Sequence, residues 1–405
     1  MNMLLVGNGY DLHHSFPTWY INFINTIQFL IDNYDASFTT VGQVFGNHKL
    51  QEKDGFIKNC YDKHSEVYNR TCLPIAEIND LISRIKDNMW FKYFSNSVAK
   101  EMKWIDFEKE IMRVLDAFSN FLDHEEAFQA AENQIFFNFS DFPNDVEDRY
   151  ILSQFNFFFE EAQGSWVGYS RIMFIKPQYA VERIAGSTSY YIMKDDIASD
   201  LYKALREFAN VLRDYLLYFV DNPSKEYVNM GITPRFGSLS SIDRIYSFNY
   251  TNTVEILYDN SIIYHIHGNT TTDIVLGINP DKNDFIETVD TKFLQFKKYF
   301  QRVFYKTDIQ FIHHINDVRK LPYSNDINLY VMGHSLDSTD EDIIKQIFEL
   351  AKSIRILYHN DTSVKNNIKN LVEIYGKDGF DRLRQEKDLQ FLPQSQIYWN
   401  NAANK

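Results

Sequence analysis

The sequence predicts an α/β fold in which a mostly parallel sheet carries helices on both faces and is interrupted by a large helical insertion. First, short apolar segments alternate with helical patterns in both outer regions of the 405-residue chain, which is typical of a parallel sheet. Second, glycine and proline number only 15 and 9, which disfavours loop-rich all-β folds. Third, the long segment between these regions repeats aromatic and apolar residues at helical spacing.

The first element is a short buried strand at residues 3–6, which ends at the turn Gly7-Asn8-Gly9. A helix is predicted from Pro17, because a missing amide costs nothing in a first helical turn. The apolar residues of this helix recur at helical spacing: Tyr20, Phe23, Ile24, Ile27 and Leu30. The chain therefore opens with a strand, a glycine turn and a helix.

Aromatic-rich helical segments dominate residues 32–235, which we predict to be an inserted, mainly helical module. This module is acidic, since residues 101–161 hold 15 acidic and four basic residues, a net charge of −11 out of −14 for the chain. Such a surface repels phosphate backbones, so it disfavours nucleic acid and attracts a basic partner. The alternative is that the module only covers one side of the cleft and completes the core.

The alternation resumes after the module, so residues 1–31 and 236–405 are predicted to form one Rossmann-like core. Its later strands are predicted at residues 244–248, 262–266, 327–332 and 354–358, with 273–278 as a hairpin partner or a further strand. Asn252 is placed to cap the helix after the first of these strands, with Glu255 three residues further on.

Cysteine content and hydropathy exclude several protein classes. Cys60 and Cys72 are the two cysteines, too few for a disulfide scaffold or a four-cysteine zinc site, which fits the cytoplasm. We expect no signal peptide, because no basic residue opens the chain and the apolar run from Met3 to Val6 is only four residues long. We expect no membrane span, because no 18-residue apolar run occurs.

Two polar motifs follow predicted strands, at the edge where open α/β sheets bind ligands. The turn Gly7-Asn8-Gly9 with Asp11 can point backbone amides at a pyrophosphate, although Leu12 breaks the usual three-glycine pattern. A plain tight turn explains the glycines equally well. The second motif spans residues 247–253. A turn or cap role fully explains Asn252, but it explains Asn249 less well, because Asn249 comes directly after the strand.

Two further motifs contain histidine. His265 and His267 lie two apart on a predicted strand and could face one cleft, where His267 suits a general base. The alternatives are that the pair binds a metal ion or that both histidines are structural. We expect His267→Ala to abolish turnover and leave the fold intact. Gly333-His334-Ser335 resembles a nucleophile elbow, but its missing second glycine favours a turn that contacts phosphate.

Several motifs, in order along most of the chain, carry a family resemblance: Leu4-Leu-Val-Gly-Asn-Gly-Tyr-Asp-Leu12 with Ser15-Phe-Pro-Thr18, Trp104-x-Asp-Phe-Glu108, Ser247-Phe-Asn-Tyr-Thr251 with Glu255, Ile266-His-Gly268, and Gly333-His-Ser-Leu336 with Asp340. Together they resemble the AbiH family of bacteriophage abortive-infection proteins. The outer motifs are more distantly similar to sirtuin-like NAD-hydrolase domains, which implies a sirtuin-like sheet with catalytic roles for Asn249 and His267. Two cysteines cannot supply the zinc module of sirtuin deacylases, and Asp11 stands where sirtuins place a small hydroxyl residue.

The resemblance implies an anti-phage effector that hydrolyses NAD at the nicotinamide–ribose bond, with NAD as substrate and no metal ion. Asn249 and His267 are the expected catalytic residues. The residues expected to contact the nucleotide are Gly7, Asn8, Gly9, Asp11, Gly333 and Ser335. We expect a phage-derived trigger, sensed by the acidic module around Glu125 and Glu126, and no membrane partner; a homo-oligomer is left open. The alternatives are a metal-dependent nuclease or phosphoesterase that uses His265 and His267, and a nucleotide-binding sensor without turnover.

Overall fold

The computed structural model describes twelve stretches of the chain: residues 1–35, 37–101, 106–123, 128–131, 134–138, 145–160, 172–182, 190–232, 241–258, 262–279, 293–320 and 326–396. Packing divides the chain into two compact units. The first contains Met1–Ile82, Asn210–Val275 and Gln301–Lys405, and the second contains Ser83–Ala209 and Leu276–Phe300. The domain boundaries expected near residues 31 and 236 remain a prediction.

The described elements alternate between strand and helix in the outer thirds of the chain. The strands are β1 (Asn2–Val6), β2 (Phe128–Ala131), β3 (Gln134–Asn138), β4 (Phe158–Glu160), β5 (Ile172–Ile175), β6 (Ala180–Glu182), β7 (Tyr190–Ile192), β8 (Arg244–Ser247), β9 (Ile262–His265), β10 (Asn328–Met332), β11 (Ser353–Tyr358) and β12 (Leu389–Pro393). The α-helices are α1 (Gly9–His13), α2 (Tyr20–Asn33), α3 (Val41–Phe45), α4 (His48–Lys53), α5 (Gly55–Arg70), α6 (Ile75–Ile85), α7 (Met89–Glu101), α8 (Phe107–Asp123), α9 (Asp145–Ser153), α10 (Lys194–Leu216), α11 (Asn222–Asn229), α12 (Thr253–Leu257), α13 (Lys298–Tyr305), α14 (Ile309–Lys320), α15 (Glu341–Leu350) and α16 (Asp361–Glu386).

A parallel sheet flanked by helices forms the centre of the first unit. Within the described chain its order is β9-β8-β1-β10-β11-β12, and every neighbouring pair is parallel. Numbered along the chain, these strands run 3-2-1-4-5-6 across the sheet, the order of dinucleotide-binding Rossmann folds. The predicted α/β, Rossmann-like fold is confirmed. The order reverses between β1 and β10, and open α/β sheets bind ligands beside such a switch point.

Strand β1 is central because its side chains suit burial on both faces. Met3, Leu4, Leu5 and Val6 are fully buried, as expected for a strand covered by helices on both sides. Each such side chain contributes about 1.5–3 kcal/mol relative to an exposed position. The surrounding core cluster is built from several elements of the sheet and its helices, including Val331, Ile344, Phe348, Ile356 and Leu371.

Some sequence-based boundaries need correction. The helix expected from Pro17 begins at Tyr20, and a one-turn helix, α1, precedes it. Residues 273–278 form no strand; an isolated bridge joins Ile278 to Lys297. Helix α16 continues through a kink at Gly376, where φ is +69°, and leads into β12. A positive φ that only glycine adopts easily explains why this glycine allows the kink.

Helices α3 to α11 occupy most of the described residues between 32 and 235. This part of the chain also contains two small antiparallel sheets, ordered β2-β3-β5-β4 and β6-β7, which the sequence pattern did not predict. Short aromatic runs fit strand and helix patterns alike, which accounts for the difference. Glu125 and Glu126, which the sequence predicts to act as a sensor, lie outside the described residues. No described helix is long and apolar enough to cross a membrane.

Two glycine turns meet at the switch point. The Gly9 amide donates a hydrogen bond to the Gly333 carbonyl at 2.8 Å. A Cβ added at Gly7 would lie 2.7 Å from the His334 Cα, and one added at Gly333 would lie 2.2 Å from the Tyr10 nitrogen. No flexible side chain can relieve these contacts, because the neighbouring atoms are backbone. The glycines therefore allow the turns after β1 and β10 to cross in direct contact.

We expect Gly333→Ala to destabilise the protein by at least about 2 kcal/mol more than Gly376→Ala. Both glycines have a φ close to +70°, so alanine is strained at both positions. Only the Gly333 variant adds a steric clash, because nothing lies within 4 Å of a Cβ at Gly376. Urea unfolding of the two variants measures the difference, and equal losses would contradict the crossing of the turns.

Candidate functional site

The loop after β8 surrounds the buried carboxyl group of Asp11. The Thr251 hydroxyl donates to Asp11 Oδ2 at 2.7 Å, and the Asn249 side-chain amide donates to the same oxygen at 3.2 Å. The Thr253 hydroxyl donates to Asp11 Oδ1. Asp11 belongs to α1, directly after the glycine turn of β1. The structure therefore brings together two sequence-predicted site residues, Asp11 and Asn249, which follow the neighbouring strands β1 and β8.

This contact sets the direction of the Asn249 amide. An ionised carboxylate only accepts hydrogen bonds, so the NH₂ group of Asn249 must face Asp11. Burial raises the pKa of Asp11 to about 6, while the two threonine hydroxyls and the charge of His265 act to lower it. Asp11 is thus mostly ionised at neutral pH. Within the described part of the chain the Asn249 carbonyl oxygen Oδ1 makes no hydrogen bond, and it can accept one from a ligand or water.

His267 is held by a carboxylate from another part of the chain. Its Nε2 atom lies 2.9 Å from Asp340 Oδ1, and both side chains are buried. His334 Nε2 lies 3.7 Å from the other oxygen of Asp340, and the Phe248 ring packs against both imidazoles. Asp340 directly precedes α15. A histidine oriented by a carboxylate is the arrangement that general-base catalysis uses.

His265 has a different set of partners. Its Nε2 lies 3.0 Å from Glu255 Oε1, and its Nδ1 lies 3.3 Å from the backbone carbonyl oxygen of Asn249. Both ring nitrogens are therefore engaged, and a metal ion would have to displace one of these contacts. His265 and His267 have separate carboxylate partners, Glu255 and Asp340. Among the described residues, no group of three or more His, Cys, Asp or Glu side chains is placed to hold a metal ion.

The remaining residues expected to contact a nucleotide lie at the switch point. The Asn8 side-chain amide donates to the Thr18 carbonyl at 3.1 Å. Ser335 is exposed, and its carbonyl accepts from the Asn370 amide at 2.9 Å. Neighbouring His334 is buried and accepts a hydrogen bond from the Leu336 amide at 2.9 Å. The two glycine turns and Ser335 thus lie together at the carboxyl edge of the sheet.

Comparison with known proteins identifies the family. The family model described as bacteriophage abortive infection AbiH matches residues 3–359, which is most of the chain. The chain belongs to the AbiH family. No curated protein and no solved structure matches it significantly. AbiH membership gives the chain a role in bacteriophage abortive infection, and the more distant sirtuin resemblance remains a prediction.

The role predicted for Asn252 in this AbiH chain is wrong in its detail. Asn252 precedes α12, but its side chain makes no capping hydrogen bond. Its amide donates instead to the Thr270 hydroxyl at 2.7 Å, in the loop after β9. The partner expected for the cap, Glu255, bonds His265. The Asn252 side chain therefore joins two neighbouring loops and does not cap α12.

We expect Asn252→Ala and Thr270→Val to be energetically coupled by about 1 kcal/mol in a double-mutant cycle. The reason is that each substitution removes the same hydrogen bond between the two loops. A helix cap at Asn252 would give a similar single-variant loss, about 1 kcal/mol, with no coupling to Thr270. Urea unfolding of the two single variants and the double variant measures the coupling, and additive losses would contradict the interaction.

Three acidic residues of the site were not selected from sequence chemistry. Glu255 and Asp340 pair with His265 and His267, and Asp221 contacts the loops after β8 and β9. Glu255 and Asp340 did belong to the motifs that resemble AbiH, which is the one signal that could have found them. Asp221 lies in a segment that the sequence assigned to the inserted module.

Proposed function

We propose that this AbiH chain is an abortive-infection effector that hydrolyses NAD at the nicotinamide–ribose bond. The observation that carries the proposal is the buried His267–Asp340 pair beside the switch point of a sheet with the dinucleotide-binding strand order. The Asn249 amide, oriented by Asp11, adds a hydrogen-bond acceptor at the same edge. Loss of NAD from an infected cell would stop phage replication together with the growth of the host.

The proposed reaction breaks one bond and forms one. As the bond between C1′ of the ribose and the nicotinamide nitrogen breaks, its electron pair returns to the ring, which leaves as neutral nicotinamide. Water attacks C1′ of an oxocarbenium-like transition state and forms ADP-ribose. His267, which Asp340 orients through Nε2, takes the proton of the attacking water. The proton then passes to solvent.

The other residues have binding roles in this proposal. Asn249 Oδ1 accepts a hydrogen bond from a ribose hydroxyl or from the attacking water. Backbone amides of the turn from Gly7 to Gly9 bind the pyrophosphate, as glycine turns after a first strand do in this type of sheet. Gly333 and Ser335 line the same place from the neighbouring strand, where the Ser335 hydroxyl can donate to a phosphate or ribose oxygen.

The test is to incubate the full-length protein with NAD and, separately, with RNA, each with and without EDTA. We expect nicotinamide and ADP-ribose from NAD in equal amounts, unchanged by EDTA. Cleavage of RNA or of another phosphoester bond that EDTA suppresses would overturn the proposal in favour of a metal-dependent nuclease or phosphoesterase. NAD bound without any product, including in extracts of phage-infected cells, would favour a nucleotide-binding sensor.

A further inference from the structure

Asp221 is a buried acid outside the proposed catalytic set. It lies at the end of a π-helical turn, Leu217–Asp221, between α10 and α11, and it is 1% exposed. Its Oδ1 atom accepts a hydrogen bond from the backbone amide of Asn252 at 2.9 Å. Its Oδ2 atom accepts one from the Thr270 hydroxyl at 2.5 Å. One carboxyl group therefore joins two loops that come from different strands.

Besides their two hydrogen bonds to Asp221, the loops after β8 and β9 are joined by a hydrogen bond to each other. The Asn252 side-chain amide donates to the Thr270 oxygen that in turn donates to Asp221. The loop containing Asn252 also carries Asn249, three residues earlier, and the loop containing Thr270 carries His267, three residues earlier. The carboxyl group thus holds the two segments that supply the proposed catalytic side chains.

The loop from Asn249 to Thr253 is held by acids from two directions. Asp11, from the segment after β1, accepts hydrogen bonds from the side chains of Asn249, Thr251 and Thr253. Asp221, from the turn before α11, accepts from the backbone of Asn252. Burying two nearby carboxyl groups is costly, and burial raises the pKa of both. Apolar side chains could fill these buried positions at a lower cost, so the two carboxyl groups suggest a role other than packing. The π-helical turn that ends at Asp221 points the same way, since such turns are frequent at functional sites.

We propose that Asp221 is a positioning residue, whose carboxyl group joins the loops after β8 and β9 and so sets the separation of Asn249 and His267. Asp221 does not touch the reacting atoms; it acts through Asn252 and Thr270. We call this joining of the two loops by Asp221 the loop clamp, and it can be tested without substrate. Its effect on catalysis rests on the proposed hydrolysis of NAD.

Hydrogen exchange of the full-length protein tests the clamp. In Asp221→Ala, exchange of the amides in residues 250–253 is expected to rise about tenfold or more, because the Asn252 amide loses its carboxyl acceptor. Asp221→Asn keeps an oxygen acceptor for this amide and should stay close to the parent protein. Glu226→Ala is the matched control, because it removes an acid on the adjacent helix α11 whose side chain makes an exposed hydrogen bond with Asn229. Its exchange should equal that of the parent protein.

Exchange at residues 3–6 of β1 reports global unfolding and separates it from loop release. A rise in residues 250–253 without an equal rise in β1 supports the clamp; no rise, or an equal rise in both, overturns it. If Asp221→Ala does not fold, Thr270→Val provides the second test. It removes the contact between the β9 loop and Asp221, and it should increase exchange in residues 268–271 by a similar factor.

Kinetics provides the second readout. For Asp221→Ala we expect kcat for NAD hydrolysis to fall at least about tenfold with KM nearly unchanged, and Asp221→Asn to recover most of the loss. A loss confined to KM, or no recovery in Asp221→Asn, would overturn the positioning role. If the parent protein does not hydrolyse NAD, the proposed function fails, while the exchange experiment still decides whether Asp221 clamps the loops.

Discussion

Replacing His267 with glutamine is expected to lower the rate of NAD hydrolysis by about 10²- to 10⁴-fold, the contribution typical of a positioned general base. The structure changes the choice of variant. From the sequence, His267→Ala was expected to leave the fold intact, but His267 is 3% exposed and its ring bonds a buried carboxylate. Alanine would leave Asp340 without this donor. Glutamine can still donate to Asp340 and cannot accept the proton.

His313→Gln is the matched control, because this histidine lies on α14 and is exposed. Its kcat and its melting temperature should equal those of the parent protein. Asp340→Asn should reduce kcat less than His267→Gln does, since it weakens the orientation of the base and leaves the base in place. Nicotinamide release under saturating NAD measures all three variants. A His267→Gln protein with parental kcat would exclude His267 as the base.

The second large effect is the change with pH in the contribution of Asp221 to the free energy of unfolding. Burial raises the pKa of Asp221 from 3.8 to about 7, while the Thr270 hydroxyl and the Asn252 amide lower it, the charge of Asp11 raises it and Lys225 lowers it. The folded protein therefore keeps this proton at pH values where the unfolded chain has released it. The stability from this group is fully present below about pH 4 and is lost as the pH rises to about 7.

Asp221→Asn lacks this proton, so its stability relative to the parent protein should increase with pH. Between about pH 5 and pH 8 the free energy of unfolding of the variant should gain roughly 2–3 kcal/mol on that of the parent. Urea unfolding of both proteins at each pH measures the difference. A difference that stays constant with pH would show that Asp221 is ionised in the folded protein over the whole range.

The sheet could be predicted from the sequence where local patterns were strong. Residues 3–6 form an apolar run that ends at a glycine turn, and short segments rich in apolar residues likewise indicate the strands at 244–248, 262–266, 327–332 and 354–358. Strand β12 was missed because it follows a polar segment and Gly376. That glycine permits a kink inside α16, whereas a glycine so placed usually suggests that a helix has ended.

The site was predictable only in part. Asn249 and His267 follow strands, and the carboxyl ends of parallel strands share one edge, so their placement follows from the pattern. Their partners do not follow from it. Asp340 is 73 residues from His267, and Asp11 is 238 residues from Asn249. Only the folded chain brings such pairs together, which is why Asn252 was assigned to a local cap and Asp221 to no role.

The crossing of the two glycine turns also bears on how the protein is made. Strand β1 pairs with β8 and β10, so its neighbours are encoded about 240 and 325 residues downstream. At about 5–20 residues per second, the ribosome completes β10 roughly 16–65 seconds after β1 is translated. Until β8 has been translated both edges of β1 lack their native partners, and the edge that pairs with β10 lacks its partner until the end of that interval, when the turn at Gly333 can form. A chain interrupted before this point therefore has no assembled switch point.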